Sequence, residues 1–257
     1  MQAVQATEAA VSKDSSRGAW LALALLVPVP SIGTAAALWW WPDLPVGKIL
    51  FVAAKVWILA LPLAWLVLVE RSRPGWSPPH HGGFGVAIGT GLAIAAVIVG
   101  AYALVRKPNL LDATIITERA ALTGLNQPAF YIGGALYWIL FNSLMEEYVW
   151  RWFVFRKAEA AVGGRAAVVV SALGFTAHHV IALAAQFTWP ITVLASLGVF
   201  IGGVTWSWLY LRYRSIWPCY VSHAIVDTPI FLIGWRLIFH EGTLRALESC
   251  SPGVGCV

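Results

Sequence analysis

The chain has 257 residues, 59% of them hydrophobic and 11% charged, with a mean hydropathy of +0.74. A soluble domain carries about 25% charged residues, and a domain of this size has too little interior to hide so much apolar side chain, so a water-soluble globular protein is excluded. The formal charge of +5 rests on few ionisable groups, and no basic run with interleaved aromatics occurs, which excludes nucleic acid and leaves the lipid bilayer as the partner.

Residues 1–18 are polar and read as a disordered tail, 19–240 as a polytopic membrane domain, and 241–257 as a short C-terminal tail. Seven apolar spans follow in order: Ala19–Trp41, Gly47–Val69, Gly83–Val105, Ala129–Phe155, Ala166–Gln186, Ile191–Leu211 and Ile216–Leu237. Each approaches or exceeds the roughly 20 residues that a bilayer core requires of a helix. The first is too long for a signal peptide and runs straight into Trp39, Trp40 and Trp41, so it is read as retained. Those three, with Trp76, Trp189, Trp208 and Trp217, lie near span ends, where indole rings favour the interface. Pro28, Pro30 and Pro62 lie inside spans, as membrane helices tolerate.

The longest connection is Arg106–Gln127. Leu111, Ile115 and Leu122 share one face of a helix that could lie on the outer surface; a plain connector is the alternative. With the N-terminus inside, cytoplasmic segments hold nine Lys and Arg and outer segments six, a bias toward N-in and C-out. Cys250 and Cys256 then fall on the outer side, where they could form a disulfide or stay as thiols. Cys219, inside a span, is expected only to pack.

Ionisable residues inside the spans are Lys55, Glu146, Glu147, Arg151, His178, His179, His223 and Asp227, with Arg236 at an end. Such groups are costly in hydrocarbon and face protein or water. Lys55 can snorkel toward an interface. Glu147 and Arg151 are four apart, as are Phe175 and His179, and His223 and Asp227. That spacing puts each pair on one helix face. At about 1.5 Å per residue, Glu146, His179, His223 and Asp227 all lie roughly 12–20 Å from the cytoplasmic edge. Three spans thus carry polar groups at similar depth and could converge on one cavity.

Two adjacent carboxylates in a low dielectric cannot both ionise cheaply. Arg151 compensates Glu147 from one turn away, whereas Glu146 points about 100° around the helix, away from that pair. A carboxylate so placed suits general acid–base work, and facing histidines could donate to an oxyanion or hold a water. The bland alternative is that these pairs merely glue helices together. A proton-coupled transporter would use the same residue types, though no internal repeat supports it. A non-catalytic immunity-type membrane protein is a third possibility.

The segment "EEYVWR", Glu146–Arg151, resembles the EExxxR motif of the CAAX-protease and bacteriocin-processing family of glutamic-type intramembrane endopeptidases. "FTAHH", Phe175–His179, is similar to its FxxxH motif, and "HAIVD", His223–Asp227, to its HxxxN/D motif. All three occur in order, each in its own span. The first three spans resemble nothing nameable. The resemblance implies an all-α membrane helix bundle that hydrolyses peptide bonds of a membrane-associated protein or peptide with a glutamate-activated water, in the cytoplasmic membrane of a bacterium. It makes Glu146 the base, His179, His223 and Asp227 its catalytic partners, and Glu147, Arg151 and Phe175 the supporting residues. His178 is not the motif histidine, and its neighbouring position is expected to point it elsewhere, into packing or water.

Prenyl-protein members usually carry Asn where this chain has Asp227, and an ionised Asp cannot donate a hydrogen bond. The departure favours a branch that processes bacteriocins or C-terminal sorting helices over prenylated substrates. No cofactor is expected. Zinc held by His179, His223 and Asp227 is the alternative, although HExxH is absent and the two His sit on different helices.

Overall fold

The computed structural model describes residues 16–75, 77–106 and 113–241, among which there are helices and turns but no strand. Among the described residues, six helices are long and apolar enough to cross a membrane: α1 (Ser16–Trp40), α2 (Pro45–Val69), α3 (Phe84–Arg106), α6 (Gly164–Gln186), α7 (Trp189–Tyr213) and α8 (Ile216–His240). Between α3 and α6 lie α4 (Ala113–Leu122) and α5, a contiguous helical run over residues 128–162. The chain is therefore an all-α polytopic membrane protein. Its surface agrees: Leu68 and Leu104 are each 74% exposed, and only 6% of the apolar window of α3 is buried. Water would not tolerate such a surface, and lipid does.

The helix ends follow local chemistry. Pro45 opens α2 after Leu44 in extended conformation, using a position whose N–H would have no helical acceptor. The helix α5 continues past the expected Phe155 to Val162 and stops at Gly163, whose φ of 83° favours a residue without Cβ. Arg214 ends α7 in the left-handed region, φ 52°. It stays there while gripping Glu159 with both guanidinium nitrogens, at 2.6 and 2.9 Å. Within α5, Tyr137–Asn142 and Tyr148–Phe155 form wide turns with i to i+5 hydrogen bonding; such turns recur at functional sites.

The described residues divide into two compact units. The first comprises 16–75, 77–87 and 145–220. Here α1 meets α2 through small residues: a Cβ on Gly33 would come within 2.6 Å of the Ala54 Cβ, and one on Gly47 within 2.7 Å of the Ala36 carbonyl. Small side chains let membrane helices approach this closely, where packing rather than water drives association. The Trp57 indole donates to the Leu25 carbonyl at 2.8 Å. The α6–α7 contact is built likewise, since a Cβ on Gly203 would sit 3.2 Å from Ala172. Cys219 is buried, its thiol directed at the Trp206 carbonyl, so it packs as expected.

The second unit comprises 88–106, 113–144 and 221–241. Its centre is Tyr131, packed edge-on against Phe231, Trp235 and Phe239. The Tyr131 hydroxyl donates to the Phe231 carbonyl at 2.7 Å. The expected helix in the long connection is present as α4, with Leu122 86% exposed. Leu111, the side chain of Ile115, most of the N-terminal tail, and Cys250 and Cys256 lie outside the described residues.

Candidate active site

The first unit brings five of the expected site residues together. Glu147 and Arg151 are fully buried and paired, Nη1 to Oε1 at 3.1 Å. A second guanidinium nitrogen donates to the Gly203 carbonyl at 3.3 Å. The guanidinium plane lies 4.8 Å from the centre of the Phe175 ring and 5.1 Å from that of Trp206. Additional hydrogen bonds to the charged groups offset the desolvation cost of a buried ion pair. Gly203 supplies one by letting α7 approach closely enough to present its carbonyl. The two rings cover the guanidinium as cation–π partners.

Glu146 is half-buried and faces a different neighbourhood. One of its carboxylate oxygens and one nitrogen each from His178 and His179 all lie within 4.8 Å of one another. Two adjacent carboxylates thus have separate surroundings: Glu147 is neutralised by Arg151, and Glu146 meets imidazoles.

Backbone chemistry sets the form of His179. Its Nδ1 is 2.8 Å from the Phe175 carbonyl, one turn earlier on α6. A carbonyl only accepts, so Nδ1 carries the hydrogen, and in the neutral ring Nε2 is left with a lone pair. Neutral His179 is therefore an acceptor toward the site. The expectation that it donates to an oxyanion requires the imidazolium.

His178 departs from expectation. It does pack, with its ring stacked on Trp150 at 5.5 Å and 6°. It also joins Glu146, and its ring centroid is 4.2 Å from that of His179. The offset of one position separates the two Cβ directions, but an imidazole is long enough to bring both rings back to the same side. Its Nδ1 is buried and closes no well-aligned hydrogen bond, although the Gly174 carbonyl acts on the ring from one turn back. The stacking partner is itself fixed, because Ser171 donates to the Trp150 carbonyl at 2.9 Å and Gly174 leaves room for the indole, 3.0 Å from where a Cβ would stand. Lys55 is half-buried on α2, its ammonium 5.8 Å from the centre of the Phe51 ring.

His223 and Asp227 belong to the second unit. His223 is 3% exposed, and its Nε2 lies 3.7 Å from Asp227 Oδ1, within ion-pair reach but beyond a hydrogen bond. Asp227 Oδ2 is bonded instead to the Ser143 hydroxyl at 2.7 Å, and that hydroxyl is also 3.0 Å from the Trp138 carbonyl. Ser143, fully buried, was missed in the sequence. The available signal was a small polar residue three positions before Glu146, inside an otherwise apolar span.

Among the described residues, the group with metal-ligand spacing is Glu146, His178 and His179, a different set from the His179, His223 and Asp227 considered from sequence.

Comparison with known proteins gives one family. Residues 128–229 match the family model described as type II CAAX prenyl endopeptidase Rce1-like. The matched stretch contains all three motifs and begins at the start of α5, after the connection that follows the unassigned first three spans. Comparison with curated proteins gave no match, and comparison with solved structures gave none.

Proposed function

We propose, from the match of residues 128–229 to the type II CAAX prenyl endopeptidase Rce1-like family model, that the chain is an intramembrane endopeptidase of the CAAX-protease and bacteriocin-processing family in which Glu146 activates the attacking water. The observation that carries this reading is the unequal treatment of the two glutamates. Glu147 is locked against Arg151 with no exposure. Glu146 is half-open beside two imidazoles. Sites that run acid–base chemistry set two carboxylates apart by environment in this way.

In the proposed cycle Glu146 takes a proton from water as the oxygen attacks the scissile carbonyl. The tetrahedral oxyanion then collapses, and Glu146 returns the proton to the leaving amine, so the carboxylate is regenerated. The lone pair on His179 Nε2 accepts the water's other hydrogen and aims the oxygen. Glu147 and Arg151 hold the helix that bears the base. By the family resemblance, His223 and Asp227 are assigned to charge stabilisation. Ser143 holds the Asp227 carboxylate.

The substrate is a protein or peptide held at the membrane. The family model's description names prenyl endopeptidases; Asp227 in place of Asn argues for a non-prenylated substrate. The Lys and Arg bias supports a cytoplasmic N-terminus and an outer C-terminus, and the family resemblance supports a bacterial cytoplasmic membrane. The test is incubation of purified protein with candidate membrane substrates, wild type beside Glu146→Gln, with cleavage read by mass spectrometry.

A further inference from the structure

We infer that Glu146, His178 and His179 form a binding site for a divalent transition-metal ion such as zinc, and that an ion held there silences the peptidase by taking the Glu146 carboxylate. The second half rests on the proposed role of Glu146 as base; the first does not.

Three observations carry the site. First, a carboxylate oxygen and two imidazole nitrogens lie within 4.8 Å of one another. Zinc bonds to such donors are about 2.0–2.2 Å, which places tetrahedral ligands roughly 3.4 Å apart, so modest side-chain rotation closes the set. Second, His179 already has the form of a metal-bound histidine. Its Nδ1–H is spent on the Phe175 carbonyl, which aims the Nε2 lone pair and makes the ring a better ligand. Third, His178 brings a buried Nδ1 that closes no well-aligned hydrogen bond, on a ring clamped between Trp150 and Phe175.

The donor set selects the ion. Two imidazoles and one carboxylate suit zinc and its first-row neighbours, whereas magnesium and calcium require oxygen ligands. In the bound state the Glu146 lone pair is shared with the metal and no longer takes the proton of the attacking water. No bond is made or broken in the substrate, so the inhibition reverses when the ion leaves.

The experiment uses the full-length protein in detergent, stripped of metal and titrated with chelator-buffered zinc. Binding is read by competition with a zinc indicator, and cleavage is followed in parallel. The expectation is one zinc per chain and a fall in rate that tracks occupancy. Millimolar magnesium should have no effect. His178→Phe keeps the ring against Trp150 and removes both nitrogens. It should weaken zinc binding at least about tenfold and shift half-inhibition by the same factor, measured against the variant's own zinc-free rate. Absence of stoichiometric zinc, or a folded His178→Phe protein that binds zinc as tightly as wild type, would overturn the site. Zinc that binds and raises the rate would overturn the silencing. Failure of the base reading is separate: Glu146→Gln would then still cleave, while the dependence of zinc binding on His178 would stand.

Discussion

His179 donates from Nδ1 to the carbonyl of Phe175 at 2.8 Å. This bond fixes the ring by backbone geometry, so the motif spacing has a physical reading: the residue four before the histidine supplies the acceptor that turns Nε2 toward the site. Nitrogen NMR of histidine-labelled protein should show neutral His179 protonated on Nδ1. His179→Ala should lower kcat by about 10²–10⁴-fold with the protein still folded. A neutral ring protonated on Nε2 would contradict the water-aiming role.

Arg151 is expected to be critical for stability. Removing one partner of a buried pair costs about 3–5 kcal/mol, and both side chains here have no exposure. Arg151→Ala should therefore lower the Tm sharply. Arg151→Lys should recover only part of it. A lysine cannot reach Glu147 and the Gly203 carbonyl as a planar fork while covering Phe175 and Trp206. Unchanged thermal unfolding of Arg151→Ala in detergent would show that the pair contributes nothing to the fold.

Two glycines on α7 should behave oppositely. A Cβ on Gly203 would meet the Ala172 Cα and Cβ at 3.2 Å and the Phe175 ring at 3.3 Å, so Gly203→Ala should cost about 1–3 kcal/mol and disturb the Arg151 acceptor. A Cβ on Gly198 would meet nothing within 4 Å, and Gly198→Ala should be neutral or stabilising by up to about 1 kcal/mol. Equal Tm values for the two variants would remove the close α6–α7 approach from the account.

Asp227 is held by Ser143 rather than hydrogen-bonded to His223. An asparagine oxygen accepts the same hydroxyl hydrogen, so Asp227→Asn should retain appreciable activity, whereas Asp227→Ala should lose most of it. Both the wild type and Asp227→Asn should keep their activity in a stringent chelator. Parallel loss of metal and activity in Asp227→Asn would favour a zinc-dependent enzyme instead.

Much of this protein can be read in its sequence, and what cannot has a common cause. Apart from α5, which runs on past Phe155 to Val162, the long apolar runs end within a few residues of the helices, because a bilayer needs a fixed length of apolar chain and Pro45 and Trp189 mark helix starts. The Glu147–Arg151 pair is legible because both residues lie on one helix face. The Gly203 carbonyl and the Trp206 ring that complete the arginine's surroundings are not, since they lie some fifty residues away on α7. His178 packs as its position implies, and its ring also reaches Glu146 and His179, which angular offset along the helix does not reveal without the length of the imidazole. Ser143 escaped because its partner, 84 residues later, is set by packing and not by spacing.

The central claim is that Glu146 is the base, and Glu146→Gln tests it most directly. Glutamine keeps the shape of the side chain and cannot take a proton. Purified Glu146→Gln, with a Tm matching the wild type, should cleave a membrane substrate at least about 10²-fold more slowly. Cleavage at the wild-type rate by the folded variant would contradict the account.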